Sequence, residues 1–499
     1  MCGVIGVIGP HFEDRSEDSS PFWAAYEAYR GLLTLQHRGQ DAAGILSYDK
    51  GYRRFFKEKN LGLIANVFNQ RNIEALLGDM AVGHTRYATT GSDDKGDLQP
   101  MVTGSPFGIG MAHNGNLVNC HSLSESLKDE HHYQLLTSND LEILLRYFAH
   151  FYHVGKKGKA FNFEVACEAV KKVYEVADGG YGVVGLIADA GLIAFRDPKG
   201  IRPLSLGRKE IDSRPGHYKY CVSSETVAIN FLGYEIVRDI RPGEFIFIDL
   251  DGNVHSRVVK EEKIAPCMFE WVYFSGAESV MHEKSVYTAR LNLGKQLAKK
   301  AKKLIDNGTI KPDVVMPVPD TSRTAAISVA QHLGIDYREG LIKNRYIHRS
   351  FILNTQEKRE KAIELKLSPI KSEIEGKNIL LVDDSVVRGT TSKKIISLLK
   401  RYGAKDIFLG VTCPPLRYGC YYGVDFPSKE ELIANGKSVD EISEYINAEN
   451  IIYIDEQDLK EAIGMSDLCM ACVNGKYPTN ALEGEKFAQS RRSLPSESP

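Results

Sequence analysis

A chain of 499 residues is long enough for roughly two to four domains. With 43% hydrophobic residues, 26% charged residues and a net charge of -2, it reads as soluble and globular, without a broad basic surface for nucleic acid or membrane. No apolar run reaches the length of a membrane span, and the N-terminus lacks the basic-then-apolar pattern of a secretory signal. Nine scattered cysteines make no disulfide scaffold, so a reducing cytoplasm is the expected compartment.

In chain order, 2–8 is an apolar strand that starts at a cysteine, and 11–20 is a polar loop. Phe22, Tyr26, Tyr29 and Leu33 then recur at helical spacing. Strands are expected at 80–85, 108–113, 181–188 and 244–250, with Gly and Asp at the turns, giving an α+β region on mostly antiparallel sheet. After a boundary near 250–275 the rhythm changes. Strands at 313–318, 378–382 and 406–411 alternate with helices at 321–333 and 391–401, which is βαβ punctuation and implies a parallel sheet. From Gly484 the chain is polar, with no periodic apolar face, and is expected to be disordered. The expected division is 2–250, 251–475 and a tail 476–499.

Cys2 follows Met1 directly. Removing Met1 would put a thiol and a free α-amine on one residue, a nucleophile with its own base. Downstream lie QHRGQDAAG at 36–44, GHTRYATTG at 83–91, AHNGNLVN at 112–119 and SND at 138–140. Each alone has an ordinary reading: an Asn-Gly turn, a surface Arg, a helix N-cap at Asp140. Together and in this order they resemble glutamine amidotransferases of the N-terminal-nucleophile class, over about the first 230 residues. The resemblance implies an αββα sandwich with Cys2 as nucleophile. It also implies Asn114 and Gly115 as oxyanion donors, Arg86 as the clamp on the glutamine α-carboxylate, and Asp140 as acceptor for the α-ammonium.

NILLVDDSVVRGTTS at 378–392 runs a strand into two carboxylates, a Gly/Thr/Ser-rich turn and a helix. Such a turn suits phosphate, and carboxylates at a strand's carboxyl end suit sugar hydroxyls or hydrated Mg²⁺. It resembles the phosphoribosyl pyrophosphate (PRPP) motif of type I phosphoribosyltransferases, an α/β fold. That resemblance implies PRPP binding by Asp383, Asp384, Ser385, Arg388, Gly389, Thr390 and Thr391. An earlier turn would hold the pyrophosphate through Asp320, Thr321, Ser322 and Arg323. Mg²⁺ would sit on Asp383 and Asp384, with Ser322 near it. Lys343 opens a polar stretch to about 375 that resembles the family's catalytic loop. Lys343, Gln356, Arg359 and Lys366 fit that loop, while Glu364 stands where an Arg is common.

The two halves joined resemble the glutamine PRPP amidotransferase family, over about 2–480. This implies transfer of glutamine-derived ammonia to PRPP, forming 5-phosphoribosylamine, pyrophosphate and glutamate at the first committed step of purine synthesis. It implies a homotetramer or homodimer and purine nucleotide feedback inhibitors. A catalytically inactive PRPP- or nucleotide-sensing regulator is the alternative, opposed by the intact Cys2, Arg86, Asn114, Asp140, Asp383 and Asp384. Other enzymes on the same glutaminase, glucosamine-6-phosphate synthase or asparagine synthetase, are opposed by the PRPP motif. Cys469 and Cys472 form a CxxC, and Cys267 and Cys420 complete four thiols. In members similar to the Bacillus type such cysteines carry a [4Fe-4S] cluster; zinc is the other metal that suits four thiolates. Cys120, Cys167, Cys221 and Cys413 read as packing residues.

Overall fold

The computed structural model describes residues 1–11, 20–87, 95–156, 158, 160–344, 366–426 and 428–486. Most of the loop expected at 11–20, positions 88–91 of the second motif, the loop residues Gln356, Arg359 and Glu364, and the end of the tail lie outside them.

The first half has two antiparallel sheets. One runs β11 (Glu235–Asp239), β9 (Ser205–Ile211), β10 (Arg214–Ser223), β1 (Gly3–Ile8), β4 (Met80–Arg86), β2 (Ala42–Asp49), β3 (Arg54–Leu61). The other runs β13 (Val254–Val258), β12 (Glu244–Asp249), β8 (Gly191–Arg196), β7 (Gly179–Ile187), β6 (Ile109–Leu117), β5 (Met101–Thr103). β1 is fully buried because both its faces are covered. Val4 and Ile8 join Val82, Ala112, Val184 and Leu192 in a core between the sheets. Ile5 and Val7 pack with Ala24, Ala28 and Leu32 of the helix Trp23–Thr34. A further core, with Phe148, Val170 and Phe195, joins the second sheet to helices Asp140–Gly155 and Phe163–Val176. Helix, sheet, sheet and helix form the αββα sandwich expected of the N-terminal-nucleophile fold. The sandwich reaches past residue 250, since β13 pairs with β12.

Two short hairpins follow, β14 (Val280–Met281) with β15 (Lys284–Ser285) and, later, β18 (Leu341–Lys343) with β19 (Leu367–Pro369). The third main sheet is parallel throughout. Its order is β17 (Asp336–Tyr337), β16 (Val314–Pro317), β20 (Ile379–Asp383), β21 (Ile407–Val411), β22 (Asn450–Tyr453). Helices Val286–Asp306, Arg323–Leu333 and Thr390–Arg401 bury apolar faces against it. The same core takes in Cys267–Val272, Cys469–Val473, and Val118 and Ile201 from the sandwich, so the halves share packing. Among the described residues, no helix is long and apolar enough to cross a membrane.

Candidate active site

The QHRG turn is built by its own side chains. Gln36 Nε2 donates to the Gly39 carbonyl at 2.5 Å, while its Oε1 accepts from Ile64 N at 2.9 Å. A Cβ on Gly39 would fall 2.5 Å from the Arg86 carbonyl carbon, so only glycine lets this turn lie on the end of β4. The turn thereby delivers Arg38 to the first strand, where Arg38 Nε donates to the Cys2 carbonyl at 2.9 Å.

Cys2 is buried just before β1. Its N–H donates to Asn114 Oδ1 at 3.3 Å, and its thiol lies 3.8 Å from the Tyr87 carbonyl. Asn114 comes from β6 and is fully buried, and its Nδ2 has no partner among the described residues. A buried unpaired amide donor costs about 1–3 kcal/mol, so one beside a thiol is a candidate for a bond made only during reaction. Gly115 has φ +146° and continues β6 toward the second half. There Asn116 Nδ2 donates to the Tyr421 carbonyl at 3.1 Å. The Met1 amine is also buried; desolvation, helped by Arg38 and Arg202 and opposed by Cys2, pulls its pKa down to about 5.

Arg86 ends β4 and is 3% exposed. Asp140 is not the N-cap of its helix. Asn139 is, accepting from Leu141 N at 3.0 Å. The Asp140 carboxylate instead turns to β6, accepting from Leu117 N at 2.9 Å and lying 3.3 Å from His113 Nε2. Gln99 holds His113 from behind, through its backbone N at 2.8 Å and its Nδ1 at 2.9 Å.

In the second half, Asp383 ends β20 and Asp384 follows it, both buried. Burial raises both carboxyls, and Asp384 repels Asp383 further, while hydrogen bonds from Thr321 and Ser385 and the charge of Arg290 oppose the rise at Asp384. Ser385 Oγ donates to Asp384 at 2.7 Å. Gly389, with φ +72°, sits at the N-cap of the helix Thr390–Arg401, leaving Thr390 and Thr391 exposed at the helix N-terminus. Arg388 is exposed and pairs with Glu431 at 3.3 Å, and Lys366, just before β19, accepts from Asn344 N at 2.8 Å through its carbonyl.

At the earlier turn the two neighbouring hydroxyls point different ways. Ser322 is 1% exposed, and its hydroxyl donates to the Val318 carbonyl, closing the turn into the helix Arg323–Leu333. The hydroxyl that faces the carboxylate pair is that of Thr321, which donates to Asp384 Oδ2. Asp320 is paired with Arg323 at 3.1 Å and with Lys343 at 3.2 Å.

One cavity of about 930 Å³ lies between the sandwich and the parallel sheet. Met1, His37, Arg38, Gln40 and Tyr87 line it from the sandwich side. Asp320, Thr321, Lys343, Asp383 to Ser385 and Arg388 to Thr391 line it from the parallel sheet. Ser275, Gly276, Arg290 and Val424 to Phe426 lie between.

Behind Arg38, which lines this cavity, lies a set of buried charges that no motif in the sequence announced. Arg38 makes a fork to Glu270, Nη1 to Oε2 at 3.1 Å and Nη2 to Oε1 at 2.9 Å, and a second pair to Glu225 at 2.5 Å. Arg202 Nη1 reaches Glu270 at 3.3 Å. Burial opposes ionisation of Glu225, but His37 and Arg38 outweigh it and hold the carboxyl below its usual range. The only sequence signal was two acids, each flanked by apolar or small residues, in SSETVA and MFEWV.

Cys267 lies beside the Cys469–Cys472 stretch, and the chain just before Cys420 pairs with that stretch. Cys267 and Cys469 form a backbone bridge, with Cys469 N donating to the Pro266 carbonyl at 2.8 Å. The Cys472 carbonyl accepts from Arg417 and Tyr418 N at 2.9 and 3.0 Å, close before Cys420. Burial pushes the Cys267 thiol up to about 11, with Arg202 opposing. Burial also raises Cys472, with Cys413, Cys420, Cys267 and Cys469 adding to the rise. Two buried nitrogens of Arg202, Nε and Nη2, have no partner among the described residues. Among the described residues, no three His, Cys, Asp or Glu side chains are grouped as they would be around a metal ion. The donor types, four thiols beside a cation, suit an anionic thiolate-bound group. Of the other cysteines, Cys167, Cys221 and Cys413 are buried and Cys120 is half-buried, its thiol 3.0 Å from the Leu117 carbonyl.

Comparison with known proteins agrees with this two-ended layout. A glutamine amidotransferase domain model matches residues 84–230, and a phosphoribosyl transferase domain model matches 285–450. The amidophosphoribosyltransferase of Pseudomonas aeruginosa is 42% identical over 487 residues, covering 96% of this chain and 93% of its own. That of Escherichia coli is 41% identical over 468 residues, covering 93% and 88%. The solved structure of glutamine PRPP amidotransferase from B. subtilis, complexed with ADP and GMP, superposes with a TM-score of 0.82. It is 35% identical and covers 96% of this chain and 98% of that one.

Proposed function

Because this chain belongs to the amidophosphoribosyltransferase family, we propose how the two ends of its cavity divide that family's reaction. The enzyme transfers glutamine-derived ammonia to PRPP, giving 5-phosphoribosylamine, pyrophosphate and glutamate, the first step of purine nucleotide synthesis. The shared cavity is the observation that carries the division.

At the sandwich end, the Cys2 thiolate attacks the glutamine side-chain carbonyl. With Met1 removed, the Cys2 α-amine accepts the thiol proton. Burial of the kind that lowers the pKa of the Met1 amine keeps such an amine unprotonated, with its lone pair free to take that proton. The tetrahedral oxyanion takes the unpaired Nδ2 of Asn114 and the N–H of Gly115. Collapse breaks the C–N bond and releases ammonia, and water then cleaves the thioester to glutamate. Arg86 holds the substrate α-carboxylate and Asp140 its α-ammonium.

At the other end, the Ser385 to Thr391 turn holds the 5-phosphate, with Gly389 allowing its backbone to close around the group. The turn at Asp320 and Thr321, with Arg323 and Lys343, receives the pyrophosphate. Asp383 and Asp384 take the ribose hydroxyls. Asp383 and Asp384, with Thr321 beside them, would hold Mg²⁺, which would supply positive charge for the pyrophosphate leaving group. Ammonia adds to ribose C1 as pyrophosphate departs. A closed path between the two sites would keep ammonia from protonation on its way.

The assignment extends to further points. The sandwich is the amidotransferase domain and the remainder to about 475 the phosphoribosyltransferase domain. Cys267, Cys420, Cys469 and Cys472 hold a [4Fe-4S] cluster of structural role, a reading supported by the Cys267–Cys469 backbone bridge and by the cationic Arg202 beside Cys267. Purine nucleotides inhibit, supported by the nucleotides named with the Bacillus structure. The working form is a cytoplasmic homodimer or homotetramer. The test is turnover by pure protein with each nitrogen source. Cys2→Ala should abolish synthesis from glutamine and retain synthesis from ammonia; full glutamine use by this variant would refute the assignment.

A further inference from the structure

We infer that Glu225 is the positioning residue through which occupancy of the phosphoribosyl end of the cavity sets the reactivity of Cys2. This rests on the reading of Cys2 as the glutaminase nucleophile. Glu225 is fully buried, and each of its oxygens serves a different half of the molecule. Oε1 accepts from Arg38 Nη1 at 2.5 Å and lies 2.8 Å from His37 Nε2. Oε2 accepts from Gly276 N at 2.8 Å and Ser279 Oγ at 2.7 Å. On the first side, Arg38 Nε holds the Cys2 carbonyl, which fixes the orientation of the nucleophile relative to Asn114.

On the second side, Arg290 holds the start of the 275–279 segment and lines the same cavity as the carboxylate pair. Arg290 Nη2 donates to the Ser275 carbonyl at 2.7 Å and to the Tyr273 carbonyl at 3.0 Å, and Nε to the Trp271 carbonyl at 3.0 Å. Trp271 and Tyr273 belong to a single π-helical turn, Glu270–Phe274, a geometry that recurs at functional sites. Arg290 lines the cavity, and its charge acts on Asp384. A pyrophosphate arriving beside Asp384 changes the field at Arg290 and so the positions of the carbonyls it holds. The segment cannot shift independently of Glu225, because a dry carboxylate that loses one of its donors leaves a buried charge unpaired. Any displacement is passed to Arg38 and the Cys2 carbonyl. Such a link has a chemical use, since ammonia released without an acceptor is lost.

The test measures the coupling itself. Glutamate release by the full-length enzyme is measured with and without PRPP and Mg²⁺, beside ammonia-dependent pyrophosphate release. Wild type should show at least about fivefold stimulation by PRPP. Glu225→Gln keeps the shape, and Arg38 keeps its fork to Glu270, so the fold is retained. In this variant stimulation should fall toward one and the KM for glutamine with PRPP present should rise, while KM for PRPP with ammonia stays within about twofold. Ser279→Ala removes one donor and should give an intermediate ratio. Unchanged stimulation in both variants, equal losses with both nitrogen sources, or an unstimulated wild type would overturn the inference while leaving the Cys2 assignment standing. Wild type that uses ammonia but never glutamine would overturn that assignment, and this inference with it.

Discussion

Replacing Asn114 by Ala separates catalysis from folding more cleanly than any other change at the Cys2 end. Its Nδ2 is buried without a partner, so the folded resting enzyme gains nothing from it. Its Oδ1 accepts one long bond from Cys2 N at 3.3 Å, worth about 0.5 kcal/mol at that geometry. Losing that bond while relieving an unpaired donor leaves stability nearly unchanged, and the melting temperature should move by less than about 3 °C. The reaction loses far more. A donor used only by the tetrahedral oxyanion is worth about 3–4 kcal/mol, so kcat for glutamine should fall roughly a hundred- to a thousand-fold. KM for glutamine should stay within about threefold, because the bond is absent in the ground state. Ammonia-dependent synthesis should be untouched. Glutamate release, ammonia-dependent pyrophosphate release and calorimetry on one preparation decide the matter. A loss in kcat below about tenfold, or an equal loss with ammonia, would refute the role.

The carboxylate pair sets a pH dependence. Asp383 and Asp384 bind protons more tightly folded than unfolded, where aspartate titrates near about 3.9. Without metal, stability should therefore fall as pH rises from about 3.9 through the raised folded values, and Asp383→Asn should flatten that fall in denaturation midpoints. Above that window, Mg²⁺ at a hundred times its Kd should restore about 2.7 kcal/mol to wild type, and a variant lacking both carboxylates should gain nothing. Thr321→Val should weaken PRPP use with either nitrogen source, whereas Ser322→Ala should leave it within about threefold; the reverse ranking in steady-state KM would reinstate Ser322 beside the metal. Protein purified without air should be brown with about four irons per chain, and Cys472→Ser should lower the iron; a colourless, stable and active iron-free wild type would remove the cluster.

Much of this enzyme is local in its sequence. The fully apolar β1 announces a strand covered on both faces, and VDDSVVRGTTS fixes a strand, a turn and a helix N-terminus within one short window. The change from antiparallel to parallel sheet follows from the changing spacing of apolar runs, and Cys2, Asn114, Asp383 and Asp384 stand in motifs whose chemistry names them. What only the tertiary structure decided depends on contacts between distant segments. Thr321 and Ser322 are adjacent hydroxyls, and only the direction of the turn at Val318 chooses which of them meets Asp384. Asp140 sits where a cap belongs, yet Asn139 caps the helix and frees Asp140 for β6. Glu225 and Glu270 lie in unremarkable runs, 187 and 232 residues from Arg38, and a buried ion pair at that separation leaves no periodic trace in either segment. Hydrophobic period and turn chemistry are written along the chain; the pairing of buried charges appears only when the chain has closed on itself.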